Sequence, residues 1–114
     1  MSPRRASGLA ASAPLFAALG DPTRLGLVAR LCAGGPQSTS GLTAGSGVTR
    51  QAVTKHLHAL ASAGLVRSRR QGRERRWQLE PKPLARARAA LESIAAQWDD
   101  ALGRLAAFIE ENPD

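Results

Sequence analysis

Residues 84–111 carry apolar side chains at a spacing that a long helix satisfies and a strand does not. Leu84, Leu91, Trp98 and Leu105 lie seven apart, and so do Ala87, Ile94, Ala101 and Phe108. The two series interleave as a 3-4-3-4 repeat over four heptads, which places them on one helical face. At 1.5 Å per residue such a helix is about 42 Å long, whereas a small domain is about 30 Å across. Part of the stripe therefore needs a surface beyond the domain's own core. A second copy of the chain, related by a two-fold axis, is the simplest such surface. The alternative is a helix folded wholly onto its own domain.

The rest of the chain must supply a core for the near end of that helix. With 114 residues, 43% hydrophobic and 4% aromatic, a single domain with an aliphatic core is expected. The net charge is +7 and it is unevenly placed. Residues 1–76 hold twelve Arg/Lys against two Asp/Glu, and residues 77–114 hold four against seven. A basic body of this kind points to a polyanionic partner. Cys32 is the only cysteine, which excludes an intramolecular disulfide and a cysteine-cluster metal site within one chain. A reducing, cytoplasmic setting fits. No apolar run approaches 18 residues, so no membrane partner is expected. Arg4 and Arg5 give the start a faint look of a targeting segment, but the apolar run behind them is broken by Ser12 and Pro14.

Punctuation divides the chain into helix, helix, helix, helix, strand, strand and long helix. Residues 1–12 are small, polar and basic and read as a flexible N-terminal arm. Pro14 suits the opening position of a short helix that Gly20 ends. Asp21 then caps a second helix with Pro22 at its first position, and Leu25, Val28, Ala29 and Cys32 form its expected inward stripe. Residues 38–45 make a short third helix, anchored by Leu42 and weakened by Gly41 and Gly45. A tight turn leads into the fourth helix, capped by Thr49 and ended by Gly64.

The fourth helix has two unlike faces. Val53, His56, Leu57, Leu60 and Ala63 fall within one arc of about 120°. Arg50, Gln51, Thr54, Lys55, His58 and Ser62 fill another, which carries cations, an amide and hydroxyls but no acid. That chemistry suits phosphates and base edges in a major groove; a solvated surface helix would read the same way. His56 is read as a packed histidine. His58, mid-way across the polar face, either touches phosphate or is idle. A short helix, a glycine-containing turn and a longer helix form a helix-turn-helix unit.

Beyond Gly64 the periodicity shifts to that of a hairpin, with strands over residues 65–70 and 75–79 and Gly72 in the turn. Six of the ten residues from 67 to 76 are arginine. Packed on one hairpin they repel one another, so a polyanion nearby accounts for their density. Trp77 is expected beneath the hairpin as core. Arg24 is read as reaching a phosphate or pairing with an acid of its own domain. No catalytic set, phosphate-binding glycine loop or metal-ligand cluster is legible, so neither enzyme activity nor a cofactor is expected.

Four motifs now stand in register: Leu19-Gly-Asp-Pro-Thr-Arg-Leu25, Gln51-Ala-Val-Thr-Lys-His-Leu57, Ala63-Gly-Leu-Val66, and Arg70-Gln-Gly-Arg73 followed by Trp77 and Leu79. Together, over residues 14–111, they resemble the ArsR family of bacterial winged helix-turn-helix repressors, in the branch lacking metal-site motifs. The resemblance implies a mostly α (α+β) winged helix-turn-helix core over residues 13–82 and a C-terminal dimerisation helix over residues 83–114. It implies a homodimer that binds double-stranded DNA at an imperfect palindrome. By the family's pattern Thr49, Arg50, Gln51, Thr54 and Lys55 enter the major groove. Arg70, Arg73, Arg75 and Arg76 then lie on the wing, along the backbone or minor groove. The first and last helices meet the partner, through Leu15, Phe16, Leu91, Ile94, Trp98, Leu102, Leu105 and Phe108. Members that sense metal through thiolates carry a Cys-x-Cys beside the helix-turn-helix. Here residues 38–45 contain no cysteine, and the terminal helix has Asp99 and Asp100 but no histidine. A metal-, redox- or ligand-responsive sensor of the same fold and a winged-helix protein-interaction module remain as alternatives. No residue pattern identifies a small-molecule effector.

Overall fold

A computed structural model describes the backbone of residues 3–111 and the side chains of residues 10–111. Arg4 and Arg5, noted above for the look of a targeting segment, lie outside the described side chains. The elements run α1 (Pro3–Leu19), α2 (Pro22–Gly34), β1 (Gln37–Ser38), α3 (Thr39–Thr43), α4 (Arg50–Ser62), β2 (Val66–Gln71), β3 (Glu74–Leu79) and α5 (Pro81–Glu111). This is a winged helix-turn-helix, as the resemblance implies, with two additions.

The first addition is the length of α1. Residues 3–12, expected as an arm, are helical, and Pro14 sits inside the helix rather than at its opening. Proline in a helix interior removes one backbone bond, at a cost of about 3 kcal/mol. Packing offsets it: α1 lies against α5, and Ser12, Leu15 and Ala18 are buried there and in the core. The second addition is β1. Its two residues pair antiparallel with β3, Gln37 opposite Trp77 and Ser38 opposite Arg76, making a three-stranded sheet of order β1-β3-β2.

α2 is correctly capped but its inward face is rotated from the expected one. The Asp21 carboxylate accepts the Arg24 backbone N–H at 3.0 Å. The buried residues are Leu27, Val28 and Leu31, whereas Leu25 is 53% exposed and Cys32 is exposed. Apolar residues surround most of α2, so its periodicity fits two adjacent faces. The choice falls to the neighbours: Arg24, on the inner side, donates through Nε to the Ala18 carbonyl at 2.6 Å and ties α2 to the end of α1. Cys32 therefore belongs to the surface, not the core.

The core gathers Leu27, Val28, Leu31, Leu42, Val53, Leu57, Leu60, Leu65, Trp77 and Ala87 from every layer. α5 gives it little beyond its first third, where Ala87 and Ala90 are buried. The rest of the helix projects. The molecule measures 68 × 31 × 20 Å with a radius of gyration of 19.1 Å, where a compact domain of this length would have about 13 Å.

Candidate nucleic-acid interface

α4 is built to hold one face rigid. Thr49 Oγ1 accepts the Ala52 N–H at 3.1 Å and caps the start. At the other end Gly64 adopts φ +81°, with Gly64 N–H bonded to the Ala61 carbonyl and Leu65 N–H to the Leu60 carbonyl. These two bonds form a Schellman motif, which needs a left-handed residue where Gly64 stands. Leu60 and Leu65, fully buried, close the accompanying apolar contact. Val53, Leu57 and Leu60 dock the helix on the core. His56 lies on the docked side, half-buried, with Nδ1 3.4 Å from the Arg24 guanidinium and 3.9 Å from the Asp21 carboxylate. Arg24 thus serves the domain's interior. The Asp21 carboxyl is held below its usual value, first by the Arg24 N–H it accepts and then by the charges of His56 and Arg24.

The opposite face brings Arg50, Gln51, Thr54, Lys55 and His58 around a single open depression. Thr49, Arg50, Gln51, Lys55 and His58 are exposed, Thr54 is half-buried, and none of these six residues is acidic. Besides the Thr49 cap, two of them have defined hydrogen-bond partners. Arg50 Nη1 donates to Ser40 Oγ at 2.7 Å. Thr54 Oγ1 donates to the Arg50 carbonyl at 2.9 Å, so its hydroxyl proton is spent within the helix. His58, exposed, sets its ring edge-on to buried Trp77, with centroids 5.7 Å apart. That contact joins the helix to the sheet.

The poor helix propensity expected of α3 from its glycines is offset by side chains from elsewhere. Ser38 Oγ caps it by accepting the Gly41 N–H at 3.0 Å. Arg30 on α2 donates to the Leu42 carbonyl at 2.6 Å and the Gly41 carbonyl at 2.8 Å, satisfying groups a short helix leaves bare. Gln37 Nε2 in turn donates to the Arg30 carbonyl at 2.9 Å. Trp77 Nε1 donates to buried Thr39 Oγ1 at 2.9 Å, so the wing's one aromatic also fixes α3. Ser46 stitches the turn through the Thr43 carbonyl at 2.7 Å.

The hairpin turn is tighter than expected, since Gln71 pairs with Glu74 across Gly72 and Arg73. Gly72 has φ +63°, which a two-residue turn with glycine first requires. Arg73 therefore stands at the tip. The register sets Arg69 opposite Arg76 and Arg70 opposite Arg75. Two like-charged cross-strand pairs are unfavourable for the free protein, and they leave dense positive charge on both faces of the wing. The arginines divide into held and unheld. Arg67 pairs with Glu80 at 2.8 Å at the wing's base and donates to the Gln78 side-chain oxygen. Arg75 donates to Ser68 Oγ at 2.7 Å, and Arg76 to the Pro36 carbonyl at 2.9 Å. Arg69, Arg70 and Arg73 make no hydrogen bond or ion pair with any described residue. Sequence reasoning passed over Arg69, which is as exposed as the four wing arginines it singled out. The alternation of the strands was the signal that would have found it.

The stripe expected to meet a partner is exposed along α5. Leu91, Ile94, Trp98, Leu102, Leu105, Phe108 and Ile109 are each 47–65% exposed. Phe16 is half-buried against the core. Leu15 is a correction: at 6% exposure its side chain fills the chain's own core and leaves almost nothing for an interface. Among the described residues no three His, Cys, Asp or Glu side chains are grouped to hold a metal ion, and no helix is long and apolar enough to cross a membrane.

A capped helix with an acid-free outer face, set beside an arginine wing, defines a winged helix-turn-helix DNA-binding protein. Residues 19–69 match the model of a helix-turn-helix domain family. An HTH-type transcriptional regulator of Mycobacterium tuberculosis is 39% identical over 97 residues, covering 85% of this chain and 87% of that protein. Among solved structures, an ArsR-like transcriptional regulator from Rhodococcus is 41% identical, with a TM-score of 0.70 over 90% of this chain and 92% of that one. The homodimeric winged helix-turn-helix domain of a possible ArsR-family transcriptional regulator from Mycobacterium bovis is 27% identical, with a TM-score of 0.63 over 85% of this chain and 89% of that one. The chain belongs to the ArsR family of winged helix-turn-helix transcriptional regulators, proteins that bind DNA rather than catalyse.

Proposed function

We propose that this regulator acts as a homodimeric repressor in the cytoplasm, occupying a palindromic operator, with its own promoter as the first sequence to test. The observation that carries the DNA reading is the grouping of Arg50, Gln51, Thr54, Lys55 and His58 around one open, acid-free depression on α4. In this reading Thr49, Arg50, Gln51, Thr54 and Lys55 enter the major groove with His58 at their edge. Arg69, Arg70, Arg73, Arg75 and Arg76 follow phosphates or the minor groove, where arginine is favoured. α5 supplies the dimer contact through Leu91, Ile94, Trp98, Leu102, Leu105 and Phe108, with Phe16 from α1. Two observations support that: the exposed stripe, far more apolar than a monomer's surface needs, and the homodimeric state of the Mycobacterium bovis relative. A two-fold dimer would set its recognition helices on half-sites about 34 Å apart.

The test is selection of bound duplexes from a randomised pool, followed by sedimentation equilibrium of wild type and Trp98→Glu. An inverted repeat with that spacing is expected, together with a dimer that Trp98→Glu converts to monomer with loss of operator binding. A monomeric wild type, or the absence of any salt-sensitive duplex binding, rejects the reading. A reporter fused to the DNA upstream of the gene decides the sign of regulation, since repression requires its output to rise when the regulator is deleted.

A further inference from the structure

We infer that Ser40, on α3, is a positioning residue that presets Arg50 for base reading. The inference rests on the reading that Arg50 meets base edges. Arg50 is the first residue of α4 and is exposed. It stands at the positive end of its own helix, where the backbone offers donors and no acceptor. Left alone, a long side chain there would sample many rotamers, and binding DNA would have to order it. Ser40 Oγ supplies the missing acceptor, 2.7 Å from Arg50 Nη1.

An anchor is only as good as its own support, and Ser40 is well supported. α3 is capped by Ser38, clamped by Arg30 at Gly41 and Leu42, and nailed to the core by fully buried Leu42. Thr43 Oγ1 bonds back to the Thr39 carbonyl at 2.8 Å, one turn around the same short helix. Ser46 fixes the turn between α3 and α4. The hydroxyl and the guanidinium are thus held ten residues apart in sequence by two elements of fixed relation. One Nη1–H is spent on Ser40. The other donors of the guanidinium remain for the two acceptors on a guanine edge. The Ser40 hydroxyl keeps its own proton, which is left for water.

Fluorescence titration tests this with two duplexes, the sequence wild type selects from a randomised pool and a scrambled version of it. Ser40→Ala is expected to lower affinity for the selected duplex about tenfold, from two half-sites each losing one pre-ordered side chain. Affinity for the scrambled duplex stays as it was. Ser40→Thr restores the selected affinity, because its hydroxyl sits in the same place. In an Arg50→Ala background, Ser40→Ala makes no further difference. The inference is overturned if Ser40→Ala weakens both duplexes alike, which makes Ser40 a phosphate contact, or if it changes neither. A loss that persists in the Arg50→Ala background overturns it too. If Arg50→Ala leaves the ratio of the two affinities at its wild-type value, the base-reading role of Arg50 fails and this inference with it, while salt-sensitive DNA binding would still stand.

Discussion

Replacing Arg69 and Arg70 together by glutamine is expected to stabilise the free protein and to loosen its hold on DNA. Arg69 faces Arg76 and Arg70 faces Arg75 across the hairpin, and neither Arg69 nor Arg70 has a partner among the described residues to offset the repulsion. Two unit charges about 6 Å apart in water repel by about 0.7 kcal/mol, of which about half survives at 0.15 M salt. Relieving both pairs should therefore gain up to about 1.4 kcal/mol at low salt and about half of that at 0.15 M. Exposed side chains splay apart, so these are upper values. Differential scanning calorimetry should show a melting temperature raised by a few degrees, and raised more at 20 mM than at 200 mM salt. DNA binding moves the other way. Each phosphate contact contributes about 0.9 to the slope of log affinity against log salt, so two residues on each of two wings should lower it by about 3.6. Fluorescence anisotropy from 50 to 200 mM salt measures that slope. A variant less stable than wild type at low salt, or one with an unchanged slope, would refute the view that the wing stores repulsion that DNA relieves.

Three further outcomes follow from single contacts. Arg30→Met keeps the aliphatic stem but strips the two carbonyl bonds from α3, and should destabilise the protein by about 2 kcal/mol, given charged donors on a part-buried site; a change under about 0.5 kcal/mol in urea denaturation would show that α3 needs no clamp. Thr54→Val should preserve sequence preference, because the hydroxyl proton is already spent on the Arg50 carbonyl; competition with base-substituted duplexes gives the comparison, and a lost preference would mean the hydroxyl bonds a base. Asp21 has a carboxyl held below its usual value, so its contribution is complete at neutral pH and is lost only as pH falls through that lowered value, below about pH 4. Asp21→Asn, which still caps, should lose less stability than wild type between pH 5 and pH 2.5; identical acid limbs in thermal melts would contradict this.

The local parts of this molecule are written in local sequence. Thr49 before a periodic stretch and Gly64 after it define α4, because capping needs only neighbours within one turn. The separation of Val53, Leu57 and Leu60 from Arg50, Gln51 and Lys55 follows from the helical period alone. So does the stripe on α5, whose 3-4 spacing predicts a helix too long for its own core. The hairpin, with Gly72 in its turn and arginines on its strands, is equally legible. From these the recognition face, most of the wing and the exposed apolar stripe could be named by number.

What tertiary structure decided lies between residues far apart in the chain. α2 is apolar around most of its circumference, so its phase was settled by the Arg24 bond to Ala18 and by packing that buries Leu27 and Leu31, which put Leu25 and Cys32 outside. α1 runs through Pro14 because contact with α5 and the core outweighs a missing backbone bond. β1 is two residues long and exists only because β3 offers it an edge. The held and unheld arginines of the wing cannot be told apart in a string where six of ten are alike; the carbonyl of Pro36, forty residues away, chose Arg76. The sequence by itself determined which elements form and which faces carry charge, since both depend on neighbours within a few residues. The contacts that hold α3 in place and hand Ser40 to Arg50 required the folded chain, because no local pattern records a hydrogen bond across it.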